Sequence, residues 1–142
     1  MTTNLPNSLS GRVERLCSEG DEFVAQSRYA AAVLRYTTAF RLLPRPQERW
    51  SITPRLLASI VDACFTKQDY VGAREAALAA MEFPEIHDNP ALRLKLGQIY
   101  FEQGEMQGAR EEFAFALSHG GPDVFADEDP KYWEFASQAL ES

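Results

Sequence analysis

The stretch LGQIYFEQGEMQGAREEFAFAL, residues 96–117, constrains this chain more than any other. Together with Leu92 just before it, Leu96, Ile99 and Tyr100 stand at i, i+4, i+7 and i+8, the spacing of one face of an α-helix. Gly104 then ends that helix cheaply, because glycine has no Cβ to oppose a left-handed turn. Ala109, Phe113, Ala116 and Leu117 repeat the same face, and Gly120-Gly121-Pro122 stops the second helix. The pattern predicts a helical hairpin. Gly97 and Ala109 leave room where the two helices meet, and Tyr100 and Phe113 fill the space on either side.

A single hairpin cannot bury both of its faces, so the pattern has to recur. A first copy is GDEFVAQSRYAAAVLRYTTAFRLLP, with Gly20, Phe23, Tyr29, Ala32, Tyr36, Ala39 and Pro44 in register. In the second, DACFTKQDYVGAREAALAAM, Ala63, Phe65, Tyr70, Ala73, Ala77 and Ala80 align. That copy is the weakest, with Val61 in place of the early Gly and Cys64 and Ala77 in place of the core aromatic. The run Leu96-Gly97-x2-Tyr100-x8-Ala109-x3-Phe113-x2-Ala116 resembles the tetratricopeptide repeat (TPR), a helix-turn-helix unit of about 34 residues. It departs from the family pattern at Arg93, where a large aromatic is favoured, and its closing Pro122 comes one place late.

The resemblance implies an all-α fold, an α-solenoid of three TPR-like hairpins in a single domain spanning residues 1–142. The repeats fall at about 13–46, 54–87 and 90–123. Their register alanines, Ala32, Ala73 and Ala109, are 41 and then 36 residues apart, so the joins are unequal. The longer join, QERWSIT, holds Trp50 between Pro46 and Pro54 and predicts an ordered loop or an extended first helix of the second repeat. After the third repeat, Asp129 is placed to cap a helix and Pro130 to occupy its first position. Phe125, Tyr132, Phe135, Ala136 and Leu140 would then pack over the last repeat, making about residues 130–141 a capping helix.

Composition narrows the partners. The chain has 142 residues, 45% of them hydrophobic, enough for a real core. A formal charge of −7 disfavours nucleic acid and anionic membranes, which would repel it, and points to a neutral or basic protein partner. The longest apolar runs, such as Ala76 to Met81, fall far short of the roughly 18 residues a membrane helix needs. MTTNLPNSLSGR lacks the basic-then-apolar pattern of a secretory signal, and Cys17 and Cys64 are too few for a disulfide framework. A cytoplasmic location is the expectation.

In the family that the repeats resemble, the first helix of each repeat lines a groove that binds peptides or proteins. Aligning the repeats and taking the stripe opposite the hairpin contact selects Glu14, Cys17, Asp21 and Val24, then Arg55, Ala58, Asp62 and Phe65, then Leu94, Gln98, Phe101 and Glu102. One subgroup grips a peptide's C-terminal carboxylate with Lys and Asn at groove positions. Here Cys17, Asp21, Ala58 and Asp62 stand at those positions, which argues against that mode of binding. Asp21, Asp62 and Glu102 around Val24, Phe65 and Phe101 would favour a basic segment carrying an apolar anchor. The competing reading is that these acids are simply a solvated helix face.

Other residues are read structurally. Trp50 and Trp133 are expected to pack inward rather than serve as exposed anchors. The run Asp127, Glu128, Asp129 reads as favourable charge at a helix N-terminus. His87 lies near Glu85 and Asp88 but far along the chain from His119, so no metal site is expected, and Cys17 reads as a small buried thiol. No phosphate-cradling Gly-rich loop, HExxH, paired-Cys or Gly-x-Ser-x-Gly motif is present, so neither an enzyme nor a cofactor is expected.

These features define a protein-binding module. The three repeats ending in FADEDPKYWEF also resemble small stand-alone bacterial TPR proteins, some of them encoded beside large secreted toxins. That resemblance implies an immunity protein that neutralises a cognate toxin, and an acidic groove suits a toxin domain that is itself basic. An assembly adaptor or secretion chaperone, and a self-associating structural protein, are the alternatives.

Overall fold

The structure, a computed structural model, describes residues 5–141, with side chains through Ala139. Among these residues are eight α-helices and no strand: α1 (Asn7–Ala25), α2 (Tyr29–Leu42), α3 (Thr53–Thr66), α4 (Tyr70–Ala80), α5 (Pro84–His87), α6 (Pro90–Glu102), α7 (Met106–Gly120) and α8 (Pro130–Glu141). Two 3-10 turns, Gln47–Arg49 and Pro122–Phe125, lie between helices. The helices fall into two compact units, Met1–Phe83 and Pro84–Ser142. Leu140, expected in the packing face of the cap, lies outside the described side chains.

The three hairpins turn by the same device. Two residues past the end of each first helix the chain enters the left-handed region: Ser27 at φ 59°, Gln68 at φ 67° and Gly104 at φ 79°. The next residue then donates its N–H back to a carbonyl five residues earlier: Arg28 to Phe23 at 2.8 Å, Asp69 to Cys64 at 2.8 Å and Glu105 to Tyr100 at 2.9 Å. This satisfies carbonyls that a helix end leaves without partners. Helix starts are also capped by side chains. Asp69 accepts from the Gly72 N–H at 3.0 Å, and Asn89 accepts from those of Ala91 and Leu92 at 2.8 and 3.3 Å, with Pro90 beside it at the first helical position.

Where the helices of a hairpin cross, a residue without a side chain faces a ring. A Cβ built on Gly20 would lie 2.5 Å from the Tyr36 ring, and one on Gly97 would lie 2.7 Å from the Phe113 ring. The second hairpin exchanges the sizes at the same 16-residue offset, placing Val61 and Ala77, both buried, where the others place Gly and an aromatic. Space at the crossing is thereby shared out with similar total volume.

In the first unit the core joins α1, α2 and α3 in one cluster, which includes Val13, Cys17, Ala32, Tyr36, Ala39, Leu43, Trp50, Leu56 and Ala63. The long join is an ordered loop pinned on this cluster. Trp50 is buried and its indole N–H donates to the Pro44 carbonyl at 2.6 Å, Thr53 Oγ1 donates to the Gln47 carbonyl at 2.6 Å, and Gln47 Nε2 donates to the Phe40 carbonyl at 2.9 Å. In the second unit Phe113 is the hub, with the rings of Phe125, Tyr132 and Phe135 at 5.5, 6.2 and 6.1 Å. These contacts carry α8 onto the α6–α7 hairpin, and Asp129 caps it by accepting from the Lys131 N–H at 3.0 Å.

Two outcomes follow from the crossings and turns. Gly97→Ala pushes a methyl into the Phe113 ring and is expected to cost about 1–3 kcal/mol in denaturant unfolding. Gln68→Gly removes left-handed strain from a non-glycine residue and is expected to raise stability by about 0.5–1 kcal/mol, the gain reduced by the looser unfolded chain. A Gly97→Ala protein as stable as wild type would show that the crossing has slack.

Candidate functional site

The first unit keeps part of its expected binding face open. The start of α1 and the start of α3 border a cleft of about 440 Å³, with Val13 and Ile52 in its walls and Glu14 and Arg55 at its sides. Glu14, Val24, Arg55, Ala58 and Asp62 are exposed, and Phe65 is half-buried with its ring edge-on to Tyr70 at 5.5 Å. Asp21 has a structural task. Its carboxylate accepts from the Tyr36 hydroxyl at 2.6 Å through one oxygen and faces Arg55 at 3.4 Å through the other, so it links α1 to α2 and α3. Burial, reinforced by the hydrogen bond and charge of Asp21, pushes the Tyr36 phenol above its usual range. Cys17 and Cys64 are free thiols, both buried, and burial raises both.

In the second unit the expected stripe is covered. Leu94 is buried, and Gln98 is 0% exposed with its Nε2 donating to Glu128 Oε1 at 2.5 Å. Phe101 packs edge-on against Tyr132 and Phe135 at 5.5 and 5.2 Å. Glu102 accepts from the Tyr132 hydroxyl at 2.6 Å and pairs with Lys131 at 2.8 Å. The expectation that Leu94, Gln98, Phe101 and Glu102 line an open groove is therefore corrected. Phe101 and Glu102 meet α8, while Gln98 meets the turn before it. The cap and the turn before it thus cover this face as a following helix would in a repeat stack. Gln98 Oε1 is buried with no hydrogen-bond partner among the described residues. Burial alone would raise the Glu102 carboxyl, but the hydrogen bonds of Lys131 and Tyr132 and the charge of Lys131 outweigh it and hold it below its ordinary 4.5.

Arg93 departs from the repeat pattern, and the structure explains why. Arg93 is 8% exposed, donates from Nε to the His87 carbonyl at 2.8 Å, and pairs with Glu112 at 3.0 Å. Its guanidinium lies 4.0 Å from the centre of the Phe115 ring, which His119 stacks on at 3.9 Å. A flat guanidinium can occupy an aromatic residue's place because it stacks and also supplies donors to its surroundings. Among the described residues no group of three or more His, Cys, Asp or Glu is placed to hold a metal ion, and no helix is long and apolar enough to cross a membrane.

Two further features bear on recognition. Residues 1–83 carry 10 Lys and Arg against 9 Asp and Glu, whereas residues 84–142 carry 4 against 12. The negative charge of the chain thus resides in the second unit. Trp50 is buried, but Trp133 is 39% exposed, contrary to the expectation that both pack inward. Phe125 takes the inward place against Phe113, and Trp133 lies edge-on to Phe125 at 5.2 Å.

No protein-family model and no curated protein matches the chain. Solved structures do. The C-terminal TPR-containing domain of a Plasmodium falciparum FK506-binding protein superimposes with a TM-score of 0.70 at 16% identity, covering 92% of this chain and 87% of that one. The TPR domain of Sgt2 from Aspergillus fumigatus superimposes with a TM-score of 0.64 at 19% identity, covering 98% of this chain and 80% of that one. At such identities the likeness is one of fold. The chain is an all-helical protein with the helical-hairpin architecture of TPR domains.

The Glu102 contacts predict an acid-sensitive cap. Because its folded pKa is depressed, its contribution to stability is present above pH 4.5 and is lost as pH falls through the folded value. Glu102→Gln is expected to flatten the decline in melting temperature below pH 4.5 relative to wild type. Parallel curves for the two proteins would assign that decline to other carboxylates.

Proposed function

We propose that this protein is a non-catalytic interaction module that binds a partner protein through the α1–α3 face. The observation that carries this reading is the cleft at the starts of α1 and α3, where apolar walls meet Glu14 and Arg55, on a fold shared with TPR domains. The proposed contact residues are Glu14, Val24, Arg55, Asp62 and Phe65, with Asp21 holding the face in place through Tyr36. A partner with an apolar anchor and neutral or basic surroundings fits this lining.

The finer reading is an immunity protein acting in the cytoplasm on a cognate toxin. It is supported by the FADEDPKYWEF ending and by an acid-rich second unit, which suits a basic toxin domain such as one acting on nucleic acid. The test is affinity capture from source cells with wild type and a Glu14→Arg/Asp62→Arg variant, both verified as folded by circular dichroism. A partner retained by wild type and lost by the variant supports the face, and its equal retention removes these residues from binding. Rescue of cells expressing the captured partner supports immunity. Preference for that partner's unfolded form supports a chaperone role instead.

A further inference from the structure

We propose that the outer face of α8, with the turn leading into it, docks a basic protein segment in which a Lys or Arg stacks on Trp133. The surface shares no residue with the α1–α3 face and is argued from different observations. Trp133 is 39% exposed, so its ring is offered to solvent, while Phe125, itself buried, supports it edge-on at 5.2 Å. A ring held in this way loses little freedom when a partner covers it.

The charge around it selects the partner. Asp129 stands four residues before Trp133, one turn away on the same side of the helix. Asp123 and Asp127 flank Phe125, and Glu134 follows Trp133. Glu102, Glu112 and Glu128 are tied to Lys131, Arg93 and Gln98, but Asp123, Asp127 and Glu134 are exposed and hold no ion pair among the described residues. With 12 acidic against 4 basic residues in 84–142, this unit attracts cations at long range and repels nucleic acid and anionic membranes. A Lys or Arg side chain uses both properties, laying its cation on the indole face while neighbouring carboxylates take its remaining donors.

The full-length protein is titrated with a fluorescein-labelled peptide of alternating Arg and Ser, and with the same peptide carrying neutral citrulline for Arg, by fluorescence anisotropy. Wild type is expected to bind the Arg peptide at least about tenfold more tightly than the citrulline peptide. Trp133→Ala is expected to lose about tenfold in affinity and Trp133→Phe less. Asp127→Asn/Glu134→Gln is expected to weaken binding and flatten its salt dependence. Should Trp133→Ala melt early, Trp133→Phe and the Asp127→Asn/Glu134→Gln pair carry the test, because both leave the contact with Phe125 in place. Equal affinity of wild type and the Trp133 variants, or no binding by wild type, overturns the proposal. Loss on Glu14→Arg/Asp62→Arg alone places the site on the α1–α3 face and also overturns it, whereas retention there leaves the two surfaces independent.

Discussion

The close crossing of paired helices is the constraint on which the other features depend. Gly97 lets α6 approach α7 until the Phe113 ring lies against its backbone, and Gly20 does the same for α1 beneath Tyr36. An approach this close leaves room for one ring and no more, so bulk on one helix has to be matched by its absence on the other. Val61 and Ala77 obey that rule with the sizes reversed, which is why a hairpin without the expected glycine and aromatic still packs. Once the crossing is made, each hairpin has a second apolar face that must be covered. In the second unit that need recruits Phe125, Tyr132 and Phe135, and α8 is the result.

Covering those faces puts many polar groups to structural use. Asp21 holds the Tyr36 hydroxyl, Glu102 holds Tyr132 and Lys131, Glu112 holds Arg93, and Glu128 holds Gln98. A carboxylate committed in this way is a poor candidate for ligand recognition, since a partner would first have to displace a short hydrogen bond at the cost of leaving its donor unsatisfied. Recognition is left to groups that packing does not use. In the first unit these include Val24, and in the second Trp133 with Asp127 and Glu134 beside it.

The hairpins were legible because helix periodicity and turn chemistry are local. Leu92, Leu96, Ile99 and Tyr100 mark a face with no reference to any distant residue, and Gly104 occupies the left-handed position its sequence context suggests. Ser27 and Gln68 adopt the same conformation without glycine, so that turn could be placed only by register. The candidate site was less legible. Periodicity assigns Gln98 and Phe101 to a helix face, but whether that face meets water depends on a segment about 30 residues further on. Trp133 departs from its expected burial for the same reason, because Phe125 and Trp133 are both large and aromatic and only packing decides which turns inward.

By itself the sequence determined the helices, their pairing into hairpins, the small-against-large crossings and the surplus of negative charge, since each follows from spacing, side-chain size or composition within a short window. The tertiary structure decided which polar groups are spent on holding the fold and which remain for a partner. It tied Asp21 to Tyr36, closed α8 over Phe101 and Glu102, and left Trp133 exposed. Burial depends on residues brought together from separate parts of the chain, and no local pattern records which of them will meet.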